Sequence, residues 1–173
     1  SAGTVQASNK TYIMSSYSGT LTELNVSEGS YVNEGDLIAH IKSTDIDMQT
    51  DGYKSQLEIY EKQKSQYEKL LKSIQDDKNY FSETDIDDQP YYYQYENYKS
   101  QVQQKTFDAS PYQAAGYSEE QIKALMEQNQ SEIESLYYST LQSVTANLTS
   151  VQANIDNLQT QLDALESGAN DYY

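Results

Sequence analysis

The chain has 173 residues, a formal net charge of −16 and a mean hydropathy of −0.84, which exclude a large apolar core and favour a long fold with a narrow apolar seam. Its 11 cations are all lysine and face 27 acidic residues, which excludes the basic surface that nucleic-acid binding needs. The lack of cysteine excludes thiolate metal sites, and the single histidine, His40, cannot form a His-based zinc cluster within one chain. No apolar run approaches the roughly 18 residues of a membrane span.

Strands and tight turns are predicted near the beginning of the chain. The predicted elements are a strand at 12–14, a strand at 19–26, a turn at 27–30, a turn at 33–36 and a strand at 37–42. Each turn holds one glycine, Gly29 or Gly35, for the positive φ that such turns require. The last strand alternates apolar and polar residues, which predicts one buried face and places His40 on the outer face.

A long helix is predicted after the N-cap candidates Ser43-Thr44-Asp45. Its seam positions alternate steps of four and three residues, the a/d spacing of a coiled coil, and are apolar except for Thr50, Lys64 and Lys78. The positions are Ile46, Thr50, Tyr53, Leu57, Tyr60, Lys64, Tyr67, Leu71, Ile74, Lys78 and Phe81. The segment SETDIDDQP then breaks the helix near residues 82–90, and Pro90 is expected to be its stop.

A short helix is predicted after this break, because Tyr91, Tyr95, Tyr98 and Val102 share one helical face. Five tyrosines cluster here, namely Tyr91, Tyr92, Tyr93, Tyr95 and Tyr98. Two interpretations stay open: the aromatic stripe packs onto the other helices, or it forms a contact surface for a partner near the tip of the fold. A second break follows at 106–117.

The last helix has the strongest periodicity. Ser118 and Gln121 form a predicted capping box at its start, and the helix runs to about Glu166. Its a/d positions are all apolar for four heptads: Tyr137, Leu141, Val144, Leu148, Val151, Ile155, Leu158, Leu162 and Leu165. Two seams separated by a broken middle predict an antiparallel coiled-coil hairpin with a short extra helix near its tip. Such a hairpin returns residue 166 to the neighbourhood of residue 45.

The segment SGTLTELNVSEGSYVNEGDLIAHI, residues 18–41, resembles the first half of a biotinyl/lipoyl-type domain. The matching residues are Gly19, Val26, Gly29, Val32, Gly35 and Ile38. A long helical hairpin after such a half is the arrangement of membrane fusion, or periplasmic adaptor, proteins of the HlyD type, which the chain resembles. The segment LLKSIQDDKNYFSETDIDDQPYYYQYENY, residues 70–98, further resembles the hairpin of accessory proteins that work with peptide-exporting ABC transporters of Gram-positive bacteria.

The resemblance implies a mainly α fold with three parts. Residues 1–43 are expected to form a partial lipoyl-like β unit, and residues 44–167 the helical hairpin. Residues 168–173 are expected to lead to a second lipoyl half beyond Tyr173, missing from this fragment. That half would hold the partners of the early strands, which otherwise stay open or pair with a neighbouring molecule.

For function, the resemblance implies the accessory subunit of an ABC-type export system that secretes peptides or bacteriocins through a conduit outside the cytoplasmic membrane. The implied partners are the ABC transporter, further copies of the chain in a ring or tube, and peptide cargo. An N-terminal span outside this chain is expected to anchor the protein on the extracytoplasmic side of the cell membrane. Adaptors that dock on TolC-type channels carry a tip arginine, and this arginine-free chain departs from that pattern. The alternatives are a small-molecule efflux adaptor and a structural surface coiled-coil protein.

Two candidate sites have simpler explanations. Lys42 lies roughly where lipoyl domains carry a modified lysine, but it enters a helix in IKSTDI and is interpreted as a solvated side chain. Glu83, Asp85, Asp87 and Asp88 cluster as in a Ca²⁺ loop, but the EF-hand order is absent, which favours a solvated acidic loop. No pattern of nucleophile, base and orienting residue is visible, so no enzyme activity, cofactor or metal is predicted.

Overall fold

The computed structural model describes residues 3–4, 10–15, 19–167 and 171–172, and most of them are helical. The elements are β1 (Thr20–Leu24), β2 (Ala39–Lys42), α1 (Thr44–Asp76), α2 (Gln89–Gln104), α3 (Ser110–Ala114), α4 (Glu119–Glu166) and β3 (Asp171–Tyr172). The predicted mainly α fold class is confirmed. The chain forms two compact units, unit 1 with Ser1–Ser55 and Gln159–Tyr173, and unit 2 with Gln56–Leu158.

Unit 1 contains a three-stranded antiparallel sheet in the order β1-β2-β3. β1 pairs with β2 from Thr20 opposite Lys42 to Leu24 opposite Ala39. β3 pairs with the same β2 strand at Ala39 and His40. The sequence predicts strand partners only beyond Tyr173, whereas residues inside the chain supply one of them. His40 is half-buried in the central strand instead of lying on an outer surface.

Two tight turns connect β1 to β2, and both have the predicted geometry. Gly29 has a φ of 85° and Gly35 a φ of 93°, in the left-handed region that favours glycine. The backbone N–H of Asn25 donates to the carbonyl of Ile38 at 2.8 Å, which extends the pairing beyond β1. The strand predicted at 12–14 is wrong, since these exposed residues form no strand; a run of three apolar residues lacks the alternation that specifies one.

Helix α1 begins in unit 1 with one of the predicted N-caps. Ser43 is fully buried, and its Oγ accepts a hydrogen bond from the backbone N–H of Ile46 at 3.3 Å. This bond satisfies one of the free N–H groups of the first helical turn. The side chains of Ile46 and Leu162 are buried in the same unit, and Lys54 Nζ lies 3.1 Å from Glu166 Oε1. The beginning of α1 and the end of α4 therefore lie together in unit 1.

In unit 2, helix α1 ends at Asp76 because Asp77 adopts a left-handed conformation with a φ of 53°. The N–H of Lys78 donates to the carbonyl of Ser73 at 3.0 Å, and the N–H of Asp77 donates to the carbonyl of Ile74 at 3.4 Å. This pair of bonds is a Schellman motif, with an aspartate where glycine is usual. The last carbonyl groups of α1 are thereby satisfied without a further helical turn.

The break after α1 differs from the prediction at both of its ends. The seam predicts a helix through Phe81 and a break at 82–90, but the helix ends at Asp76 and the loop covers residues 77–88. Pro90 is not the stop; it lies in the first turn of α2, where its missing N–H removes no intrahelical bond. The break predicted at 106–117 contains the one-turn helix α3.

Residues from three helices share one core in unit 2. Its buried members are Leu70 and Ile74 of α1, Phe81 of the loop, Tyr95 of α2 and Val144 of α4. Around them pack the half-buried residues Tyr67, Leu71, Tyr91, Tyr92, Tyr98, Tyr137 and Leu141. Because α2 lies beside α1, α1 buries a second stripe that includes Leu70, outside the predicted seam. A two-helix seam explains only part of this core.

The predicted α4 seam is confirmed, and the predicted α1 seam is confirmed as far as Ile74. The α4 positions from Tyr137 to Leu165 and the α1 positions from Ile46 to Ile74 are all buried or half-buried, whereas Lys78, the next predicted α1 position, is exposed beyond the end of the helix. The capping box is also confirmed: Ser118 Oγ accepts from the N–H of Gln121 at 3.2 Å, and Gln121 Oε1 accepts from the N–H of Ser118 at 2.9 Å. In the described part of the chain, no helix combines the length and apolar character of a membrane span.

Replacing Tyr95 by alanine is expected to lower the free energy of unfolding by about 3–5 kcal/mol, the usual cost of emptying an aromatic core site. Tyr95 is 3% exposed, whereas Tyr93 in the same helix is 51% exposed. The matched control, Tyr93→Ala, is expected to change the free energy by no more than about 0.5 kcal/mol. Equilibrium urea unfolding measures both variants, and equal losses would contradict the burial of Tyr95.

Candidate functional site

The α1–α2 loop, residues 77–88, is tied to α1 by the carboxylate of Asp88. Gln66 Nε2 donates to Asp88 Oδ1 at 2.8 Å, and the N–H of Ser82 donates to Oδ2 at 3.0 Å. Lys69 Nζ lies 3.6 Å from Oδ1. The hydrogen bonds from Gln66 and Ser82, with the charge of Lys69, hold the pKa of Asp88 below its usual range. One member of the predicted acidic cluster thus has a structural role.

A second acid of the cluster binds the backbone of the same loop. Asp85 Oδ1 accepts from the N–H of Asp87 at 2.9 Å and from the N–H of Asp88 at 3.1 Å. Ser82 Oγ accepts from the N–H of Thr84 and the N–H of Asp85. Such local side-chain bonds are typical of Asx and Ser/Thr turns. Within the described residues, no group of three or more His, Cys, Asp or Glu is arranged to hold a metal ion.

Further polar contacts attach the loop to α2. Asp77 forms an ion pair with Lys99. Asn79 Nδ2 donates to Glu96 Oε1 at 2.9 Å and to the carbonyl of Tyr92 at 3.3 Å. The sequence did not predict the roles of these loop residues. Aspartate tolerates a left-handed backbone, which is the one signal that could have identified Asp77. The contacts join residues 13 to 22 positions apart and leave no local pattern in the sequence.

A groove of about 560 Å³ lies between α1 and the α1–α2 loop. Ile59, Lys62 and Gln66 form its wall on α1, and Asp85 and Asp87 face them from the loop. Gln66 and Asp85 already take part in the hydrogen bonds that hold the loop. The groove therefore presents a mixed polar and apolar surface. Its polar side chains hold the loop in place, and their arrangement does not resemble an acid–base site.

Most of the five tyrosines, for which inward packing and a partner contact both stayed open, pack inward. Tyr95 belongs to the core, and Tyr91, Tyr92 and Tyr98 are half-buried against it. Tyr93 is 51% exposed. Packing onto the other helices accounts for four of the five positions, and Tyr93 has the exposed ring that a partner requires.

The aromatic side chains of α2 join the helix to the loop and shift the pKa of a buried tyrosine. Tyr91 stacks on Phe81 with ring centroids 5.6 Å apart, which joins the loop to the helix. Burial, together with the nearby charge of Asp77, raises the pKa of Tyr95 to about 12. Tyr95 therefore stays a neutral core residue and is poorly suited to acid–base chemistry near neutral pH.

The positions that resemble a lipoyl half-motif lie along the β1–β2 region of unit 1. Gly19 precedes β1, and a Cβ added to it would lie 2.1 Å from the carbonyl oxygen of Lys42. The remaining positions are the half-buried Val26 and Ile38, the turn glycines Gly29 and Gly35, and Val32, which is 51% exposed. Gly19 thus permits the close approach of β1 to the end of β2.

Residues 49–124 match the family model of the LcnD-like, long helical bundle domain. This part of the chain is similar to an LcnD-like helical bundle. The match covers less than half of the chain and includes most of α1, the α1–α2 loop, α2, α3 and the start of α4. The similarity suggests an adaptor family of bacteriocin export. No curated protein and no solved structure matches the chain.

Acidification is expected to loosen the α1–α2 loop through Asp88. Because the pKa of Asp88 is lowered in the folded state, its carboxylate contributes fully to the free energy of unfolding above about pH 4, and this contribution is lost as the pH falls through the folded-state pKa. Melting temperatures between pH 6 and pH 2 measure this loss. Asp88→Asn is expected to make the melting temperature depend less on pH. The control is Asp87→Asn, since the bonds described at Asp87 use its backbone. An unchanged slope in Asp88→Asn would contradict the role of Asp88.

Proposed function

We propose that the chain belongs to the accessory, or adaptor, subunit of an ABC-type exporter that secretes peptides such as bacteriocins. The observation that carries this proposal is the match of residues 49–124 to the LcnD-like, long helical bundle domain. The resemblance of residues 70–98 to the hairpins of Gram-positive accessory proteins supports the same function. In this proposal the chain is a member of the HlyD-type membrane fusion family, acts by binding and is not an enzyme.

The proposed architecture is an antiparallel hairpin whose arms are α1 and α4. Two contacts, each inside one unit, support it. In unit 2, Ile74 near the end of α1 shares a core with Val144 in the middle of α4. In unit 1, Lys54 near the start of α1 pairs with Glu166 at the end of α4. The earlier α1 residue, Lys54, thus meets the later α4 residue, Glu166, and the later α1 residue, Ile74, meets the earlier α4 residue, Val144. This order is that of antiparallel helices.

The β1–β2 region is proposed to be the first half of a lipoyl-like unit, with the second half beyond residue 173. The close approach at Gly19 and the left-handed turns at Gly29 and Gly35 support this assignment. β2 lies centrally, between β1 and the two-residue strand β3. Lys42 leads directly into the buried cap Ser43, which supports a structural unit over a carrier of a modified lysine.

The proposed location is the extracytoplasmic side of the cell membrane, with an anchoring span N-terminal to this chain. Copies of the protein are proposed to surround the exit path of the peptide as a ring or tube. The net charge of −16 supports this arrangement, because a highly charged, hydrated surface resists the adhesion of apolar peptides in transit.

The test is deletion of the gene in a cell that produces both this protein and an exported peptide. The peptide is expected to disappear from the medium and to remain inside the cells, as measured by mass spectrometry of both fractions. The intact gene restores export and is the control. Cross-linking in membranes is expected to recover an ABC transporter with the protein.

Two outcomes contradict the proposal and separate the alternatives. If peptide export continues while sensitivity to small toxic compounds rises, the protein is a small-molecule efflux adaptor. If neither changes and no transporter is recovered, it is a structural surface coiled-coil protein.

A further inference from the structure

A long stretch of helix α4 carries no charge. From Ser135 to Ile155 the sequence holds no Asp, Glu, Lys, Arg or His, although 22% of the chain is Asp, Glu, Lys or Arg. A stretch of this length has about four to five charges at that frequency. Since 27 acidic residues are spread over the rest of the chain, this part of α4 differs chemically from the surface around it.

Only part of this stretch is explained by internal packing. Its seam positions, such as Val144 and Val151, are buried in unit 2. On its remaining faces, Ser139, Thr145 and Ala153 are exposed. Short side chains lose little rotamer entropy when another surface covers them, whereas the lysines and glutamates typical of solvated helices lose much more. The composition therefore favours a face that is covered, not one that is only solvated.

One flank of the stretch borders a groove between α2 and α4, here called the neutral groove. Its floor is formed by the core residues Leu70, Ile74 and Val144. Its rim is formed by uncharged polar residues, Gln94, Asn97 and Gln101 of α2 and Thr140, Ser143 and Asn147 of α4. The groove measures about 220 Å³. It is smaller than the roughly 300–1,000 Å³ of small-molecule sites, and it suits one inserted side chain better.

The opposite flank of α4 presents an exposed aromatic ring. Tyr138 is 65% exposed, and its ring packs edge-on against Tyr137 at a centroid distance of 5.2 Å. Asn147 on the rim of the neutral groove is nine residues further along the helix. At about 100° per residue this separation is half a rotation, so Tyr138 and Asn147 lie on opposite sides of α4. The helix thus carries an aromatic knob on one flank and a groove on the other.

We propose that the neutral groove receives Tyr138 of a second copy of this chain. Two copies each carry a charge of −16 and repel each other, so contact costs least where neither surface is charged. Tyr138 supplies the aromatic anchor that interface centres favour, and the rim amides can meet its hydroxyl. Because knob and groove lie on opposite flanks, the contact is heterologous and repeats from copy to copy into a ring or a filament.

This inference rests on the self-association within the proposed function and names the surfaces that would form it. It does not depend on which transporter or cargo the protein serves. If the chain associates through Tyr138 but deletion of its gene leaves peptide export intact, the proposed function is overturned and this inference is not. If the chain is recovered with an ABC transporter but associates without any need for Tyr138, this inference is overturned and the proposed function is not.

The absence of cysteine from the chain allows a specific cross-linking test. The double variant Gln142→Cys/Asn97→Cys keeps Tyr138 and places one thiol beside it, because exposed Gln142 lies next to Tyr138 on the same flank of α4. Treated with a short bis-maleimide, this variant is expected to give a ladder of covalent multimers. Each single variant is expected to give dimers at most. The control is Tyr31→Cys/Asn97→Cys, which uses a fully exposed tyrosine of unit 1 and is expected to give no ladder.

Sedimentation equilibrium of the chain without cysteines completes the test. Tyr138→Ala is expected to raise the dissociation constant of self-association by about 30-fold, with an unchanged circular dichroism spectrum and melting curve. Tyr31→Ala is expected to leave the constant unchanged. The proposal is overturned if the wild-type chain stays monomeric at millimolar concentration. It is also overturned if the wild-type chain associates while Tyr138→Ala associates equally well or the double variant gives no ladder.

Discussion

Ser73 is completely buried at the end of α1, and three hydrogen bonds converge on it. Its Oγ donates to the carbonyl of Lys69 at 2.8 Å and accepts from the N–H of Tyr80 at 3.2 Å, while its carbonyl accepts from the N–H of Lys78. With Asp77 left-handed, these bonds close the helix and reverse the chain. Were α1 to continue along its seam, Phe81 would remain on the helix and the core between α1 and α2 would lose a member.

The reversal at Asp77 is stabilised mainly by burial, and the ion pairs around it contribute less. The core residues Leu70 and Tyr95 are 2% and 3% exposed, so their transfer from water contributes on the order of 1.5–3 kcal/mol each. By contrast, the side chain of Asp77, which pairs with Lys99, is 71% exposed, and such exposed pairs are typically worth about 1 kcal/mol or less. Charge in this chain therefore directs contacts and maintains hydration more than it stabilises the fold.

The sequence predicted the features that are encoded locally. The capping box at Ser118 and the α4 seam were predictable because each depends on residues three or four positions apart. The end of α1 was not, because an aspartate replaces the usual glycine at residue 77 and the heptad pattern continues past it. The bond from Gln66 to Asp88 spans 22 residues, and β3 has only two residues, so neither leaves a periodic signal. In the candidate site, the shared helical face identified Tyr91, Tyr95 and Tyr98, which are buried or half-buried, but it gave no sign that Tyr92 is half-buried as well.

Charge is unevenly distributed over unit 2, and this has a consequence for how the protein meets other molecules. The end of α1 and the α1–α2 loop, residues 76–88, hold six acidic residues and one lysine, whereas residues 135–155 of α4 hold no charge. A second copy approaching the acidic loop meets a surface of its own sign, and the repulsion over a Debye length of about 8 Å opposes contact. A copy approaching the uncharged part of α4 meets a weaker repulsion, since Glu134 is the acid beside Tyr138, and the ring of Tyr138 is exposed there. The acidic loop therefore disfavours one orientation of neighbouring copies, and the uncharged helix permits another.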